Sequence, residues 1–166
     1  MKYNRFEDLP VWNAAIRMAE QLYDFTESPV FERRFSLRDQ LERAALSISN
    51  NIAEGFERGT TAELVAFLYI ARGSAGEVRS MLCFLERRKA FVDFKSQMSD
   101  LKTQCESISR QLYGWMESLK DSVIKGQKFL GPAEKQRYEQ NQRAEAFMAH
   151  VRQIVEQARK REKGQP

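Results

Sequence analysis

The chain is poor in the residues from which most enzyme sites are built. It has one histidine, His150, which nearly excludes zinc sites and histidine-based triads. Its two cysteines, Cys83 and Cys105, lack metal-ligand spacing and read as small core hydrophobes in a reducing cytoplasm. No stretch alternates apolar and polar residues, and no Asn-Gly or Asp-Gly pair marks a hairpin, so strands are not expected. The longest apolar run, Leu64 to Ala71, is eight residues, far short of the ~20 that span a bilayer. The opening residues Met1 to Asp8 hold no apolar leader core. Phosphate-binding glycine loops and dinucleotide fingerprints are missing too. These absences predict no metal, no cofactor and no membrane partner.

What is present is helical periodicity. Leu9, Trp12, Ile16, Ala19, Tyr23 and Thr26 step along one face, from a start near Pro10 to a stop before Pro29. Leu37, Leu41, Ala44, Ala45, Ile48 and Ile52 mark a second helix from about Glu32. Gly55 is expected to be left-handed just past its end, or at a kink. Thr60 followed by Glu63 is a capping box for a third helix. That helix carries the heptad Leu64, Leu68, Ala71, Ala75, Val78, Leu82, Leu85, and a second stripe of Phe67, Ile70, Ser74, Met81 and Phe84 widens its apolar face. After a break at Lys89 to Val92, with Asp93 as candidate cap, Phe94, Met98, Leu101, Cys105, Ile108, Leu112, Trp115 and Leu119 define a fourth helix. Short connections and sustained 3.5 periodicity predict an all-α fold: an antiparallel up-down four-helix bundle over residues 1–125. Residues 126–166 then form a linker, Gly126 to Gly131, and an extra C-terminal helix opened by Pro132.

Two segments break the apolar pattern. Ser47-Ile48-Ser49-Asn50-Asn51-Ile52-Ala53-Glu54-Gly55 and Arg72-Gly73-Ser74-Ala75-Gly76-Glu77 bring polar and very small residues to places where leucine is usual. Each interior glycine costs about 1 kcal/mol against alanine, a cost tolerated where a neighbouring helix comes close. A partly buried network of Asn50 or Asn51 and Glu54 with Arg43 or Arg72, flanked by Glu77, would fix helix register. The catalytic alternative makes Glu54 a general base, but no second titratable group or activated nucleophile accompanies it.

The net charge of +4 is unevenly placed. Residues 1–125 hold 18 basic and 18 acidic residues, whereas residues 126–166 hold 9 and 5. A neutral body with a basic tail suits an acidic partner or nucleic acid, or is simply a solvated charged helix. Candidate phosphate contacts are Arg33, Arg34 and Arg38 at the start of the second helix. The tail adds Lys128, Lys135, Arg137, Arg143, Arg152, Arg159, Lys160, Arg161 and Lys163. Arg87-Arg88-Lys89, at a helix C-terminus, agree with the dipole and call for no function. Tail aromatics are few, so binding would follow backbone or shape rather than base sequence. Phe147, Val151 and Ile154 form a narrow stripe that could dock a partner helix.

These segments also carry a resemblance. Phe6-Glu7-Asp8-Leu9-Pro10-Val11-Trp12 resembles the opening of the 23S rRNA-intervening-sequence protein family, also called the four helix bundle protein family. Gln40 to Phe56 resembles its central signature, and Phe67 to Glu77 its third-helix signature. The resemblance spans about residues 5–122. It implies a bundle that assembles into a homopentameric barrel, in a bacterial cytoplasmic protein with no known enzyme activity. The family is related to the accessory variability determinant of diversity-generating retroelements, a basic pentamer that binds a reverse transcriptase and nucleic acid. The resemblance therefore implies a nucleic-acid-binding or reverse-transcriptase accessory subunit. A protein-interaction scaffold whose C-terminal helix docks a partner protein is the alternative. Two features depart from the relatives: the body is neutral, and the tail from Gly126 to Pro166 runs beyond the family's usual extent.

Overall fold

The computed structural model describes residues 3–58 and 60–120, together with the single positions Gln140, Arg143 and Met148. The chain divides into two units, Met1–Lys128 and Phe129–Pro166. In the second unit, Gln140, Arg143 and Met148 are helical and exposed. The remaining tail candidates, Lys128, Lys135, Arg137, Arg152, Arg159, Lys160, Arg161, Lys163, Phe147, Val151 and Ile154, lie outside the described residues.

The first unit is an all-α bundle of four helices: α1 (Pro10–Thr26), α2 (Phe35–Glu57), α3 (Thr61–Glu86) and α4 (Lys95–Lys120). Each packs on its neighbour in sequence, and α4 closes the ring against α1. Among the described residues no helix is long and apolar enough to cross a membrane. Pro10 occupies the first turn of α1, where its missing N–H is harmless. Asn13 Nδ2 donates back to the carbonyls of Glu7 (2.6 Å) and Leu9 (3.0 Å), tying down the turn before the helix. Thr60 caps α3 by accepting from the Glu63 N–H, the first half of the expected box, and its hydroxyl donates to Glu63 Oε2 at 2.6 Å.

The seam of α2, α3 and α4 follows the predicted periodicity. Leu41, Ile48, Ile52, Leu64, Leu68, Val78, Leu82, Leu85, Met98, Leu101, Ile108 and Leu112 are all buried. On α1 the expected face is buried in part, at Leu9, Ala19 and Thr26. Val11, Ala15, Met18, Leu22 and Phe25 are buried, while Trp12, Ile16 and Tyr23 are only partly covered. Trp12 packs instead edge-on against Phe6 at 5.2 Å, closing the leading turn over the bundle.

Four local expectations are corrected. α2 starts at Phe35 rather than Glu32, because a 3-10 turn over Pro29–Phe31 comes first and buries Phe31. Gly55 is not a left-handed residue past the helix end; it is buried within α2. A Cβ there would lie 2.6 Å from Phe67 Cβ and 3.3 Å from the Leu64 carbonyl. Only a residue without a side chain lets α2 and α3 approach this closely. Asp93 sits inside a 3-10 helix over Lys89–Phe94, not at the cap of α4. Cys83 is exposed, whereas Cys105 is buried as expected, and burial pushes the Cys105 thiol up to about 12.

The α1–α2 and α3–α4 connections meet in an aromatic cluster. Phe31 packs edge-on against Phe25 (5.1 Å) and Phe91 (5.3 Å), and Phe94 lies 5.5 Å from Phe25. Such pairs add about 0.5–1.5 kcal/mol each beyond their area burial.

Candidate functional site

The two polar segments meet across α2 and α3, but through their smallest members. Ser47 Oγ and Ser74 Oγ share a hydrogen bond of 2.9 Å. Asn51 Nδ2 donates to the Ser47 carbonyl (2.7 Å) and to Ser47 Oγ (2.9 Å), and Ser74 Oγ donates to the Ile70 carbonyl (3.1 Å). The partners are hydroxyls, carbonyls and an amide, none of which takes up a proton at neutral pH. This is a packing clamp, contributing about 0.5–1.5 kcal/mol per bond.

The expected charged network does not form within the chain. Glu54 pairs with Arg58 one turn along (2.6 Å), and Arg43 pairs with Asp39 (3.4 Å), all four exposed. Arg72 turns to α4, donating to Ser109 Oγ at 3.2 Å and lying 5.1 Å over the Tyr113 ring. Glu77 accepts from Gln40 Nε2 at 3.1 Å, and Asn50 is exposed. The physical reason is reach. A partner at i+4 on the same helix lies closer than one across the seam, and a serine contact, not an ion pair, joins the two polar segments.

The outer side of α3 is unlike an ordinary solvated face. Ile70 (52 % exposed) and Phe84 (53 % exposed), expected to widen the seam, stand exposed with Tyr69 and, on α4, Tyr113. Between them lie Gly73 and Gly76, where an added Cβ would meet nothing within 4 Å. Among the described residues, these glycines serve no close approach.

A third region lies at the aromatic end. Arg33 and Arg34 precede α2 rather than forming its first turn. Arg38 is inside the helix and engaged, with Nε 2.6 Å from Glu42 Oε1; Glu42 Oε1 also accepts from Thr26 Oγ1 at 2.7 Å. The expected three-arginine patch is therefore split. Arg34 instead meets Arg87, Arg88 and Lys89, which the sequence had left without a role. With Ala90 and Phe91 these four side chains line a cleft of about 410 Å³. The missed signal was two basic clusters, each next to a buried phenylalanine, that the Phe31–Phe91 contact brings to one end. Among the described residues, no group of three His, Cys, Asp or Glu side chains could hold a metal ion.

The sequence model of the 23S rRNA-intervening sequence protein matches residues 7–114. A crystal structure of a protein of unknown function from the S23 ribosomal protein family of Bacteroides thetaiotaomicron has a similar fold. Its TM-score is 0.58 at 22 % identity, over 64 % of this chain and 98 % of that one. No curated protein matches. The matched span runs from the leading turn to the last turns of α4 and so includes the α2–α3 clamp and the glycines of α3. This chain therefore belongs to the 23S rRNA-intervening sequence protein family.

Proposed function

We propose that this protein is a non-enzymatic, self-assembling subunit of the bacterial cytoplasm that binds nucleic acid, as an accessory to an enzyme such as a reverse transcriptase. The observation that carries the assembly is the outer side of α3. Glycine inside a helix is costly, and Gly73 and Gly76 meet no other side chain or backbone among the described residues. Exposed Tyr69, Ile70 and Phe84 flank them. A helix of a second copy crossing at the glycines would cover those side chains and use the absent Cβ atoms, as Gly55 does inside the bundle. A ring of such contacts agrees with the pentamer that family resemblance implies. The nucleic-acid part is supported by the basic tail and by the exposed cations of the body.

Two measurements test the reading. Light scattering across a range of protein concentrations is expected to show an oligomer that Ile70→Asp dissociates; a monomer throughout overturns the assembly. Fluorescence anisotropy with a labelled hairpin RNA is expected to show binding that weakens with salt and on removal of residues 126–166. No binding at low ionic strength overturns the nucleic-acid part. A protein partner retained after nuclease treatment and lost on Val151→Asp would favour the scaffold instead.

A further inference from the structure

The cleft between the α1–α2 and α3–α4 connections gathers cations in a way that neither helix explains alone. Arg87, Arg88 and Lys89 directly follow the end of α3, near the partial negative charge of its C-terminus, which basic side chains offset. That partial charge is only about half an electron charge, so three full cations exceed what it calls for. Arg34 comes from a different connection and flanks the start of α2, where a cation is mildly disfavoured. Among the described residues, no carboxylate lies in salt-bridge range of Arg34, Arg87, Arg88 or Lys89. Neighbouring Glu86 is already taken by Lys102, at 2.6 Å.

Arg34 is also held in place. Its guanidinium lies 5.6 Å over the Phe91 ring, and Nη1 donates to the Val30 carbonyl. A guanidinium carries five N–H donors in a rigid fork, so most remain available. Phe91 itself is buried in the aromatic cluster, which gives the cleft a firm floor. Holding the side chain before a ligand arrives lowers the ordering cost of binding.

We propose that this cleft is a binding site for the phosphodiester backbone of a polynucleotide, contacted by Arg34, Arg87, Arg88 and Lys89. The inference rests on the nucleic-acid reading above and assigns it a place in the body of the protein, apart from the tail. The lining offers cationic donors, one aromatic ring and no acceptor side chain. It can neutralise phosphates but cannot accept from the amino edges of adenine or cytosine. The cleft therefore contributes affinity and salt dependence rather than sequence choice.

The test uses the full chain and a short labelled oligouridine RNA, followed by anisotropy across a range of salt concentrations. Three proteins are compared: wild type, the cleft triple Arg87→Gln/Arg88→Gln/Lys89→Gln, and a control triple Arg17→Gln/Lys95→Gln/Arg110→Gln. Both triples remove three exposed charges, and thermal melting confirms that both fold. Loss of the cleft cations is expected to weaken binding by roughly tenfold and to flatten the log–log salt slope by about 2, with the control close to wild type. Cleft and control triples that behave alike overturn the cleft while leaving the nucleic-acid reading standing. A wild type that binds no RNA at low salt overturns both. Calorimetry with inorganic pyrophosphate is the second arm. Weak binding beside the RNA supports the backbone assignment, and pyrophosphate binding as tight as RNA, lost in the cleft triple, overturns it for a small-anion site.

Discussion

Gly55 and Gly73 stand on the two sides of one helix contact, and they use the same chemistry for different ends. At Gly55, on the inner side, the missing Cβ is filled by α3: Phe67 Cβ and the Leu64 carbonyl occupy the space. At Gly73, on the outer side of α3, no other described residue comes within 4 Å of that position. The sequence places Gly55 at the end of a helix and Gly73 inside one; both are helical in the fold, and the same energetic penalty applies to each. The difference teaches that an unfavourable helix residue reports a close approach without saying whose backbone approaches.

The comparison of inner and outer faces can be broken in several ways. The largest contrast is between Leu68 and Ile70, two positions apart on α3 but 0 % and 52 % exposed. In urea unfolding, Leu68→Ala is expected to cost about 2–5 kcal/mol. Ile70→Ala should leave folding of the isolated chain within about 0.5 kcal/mol. Equal losses would mean that the outer face is not outer.

The two cysteines sharpen the same divide. Burial raises the Cys105 thiol from 9.0 to about 12, so the folded protein keeps that proton after the unfolded chain has lost it. The stability this gives is complete below pH 9 and falls as pH rises towards 12, by about 1.4 kcal/mol per unit. Comparing wild type with Cys105→Ala across that window isolates the effect, and identical pH slopes would refute it. In the native protein iodoacetamide should modify Cys83 and spare Cys105. Cys83 labelling that slows as protein concentration rises would report a second copy covering α3.

Next come the glycines themselves. Gly55→Ala gains about 1 kcal/mol of helix propensity but meets Phe67 Cβ, and overpacking costs about 1–3 kcal/mol. A lowered melting temperature is expected, and a raised one would mean that α2 moves freely. Gly73→Ala should stabilise the isolated chain by up to about 1 kcal/mol and weaken self-association. Stronger association would remove the glycine argument for assembly. The smallest effect belongs to Glu54→Ala, which breaks an exposed pair with Arg58 at the end of α2 and is expected to leave the melting temperature close to wild type. A loss of several kcal/mol would revive a buried network.

Helix number, type and most of the core were legible because apolar spacing encodes them directly. The heptad from Leu64 to Leu85 leaves little freedom about which side of α3 turns inward. α1 was read less well because Trp12 and Tyr23 are apolar in pattern yet amphipathic, and they settle at the rim. The site was harder. Charged side chains such as Arg43 and Glu54 are long enough to find partners on their own helix, so their spacing across a seam predicts little. Ser47 and Ser74 can only reach what backbone packing brings to them, which makes them the better reporters. The basic cleft is assembled by Phe31 and Phe91, far apart in sequence, and no local pattern shows that contact.

The Gly55–Phe67 contact has a consequence for the order in which the chain folds. The two residues lie close in sequence, on helices joined by a short turn whose far side Thr60 caps. Closing so short a loop loses little entropy, so the α2–α3 hairpin can form before the sequence-distant contact of α1 with α4. Changes at Gly55 should then slow refolding, while changes where α1 meets α4 should mainly hasten unfolding. The family's central signature would thus mark the stretch of chain that commits first, with the rest of the bundle gathering on it.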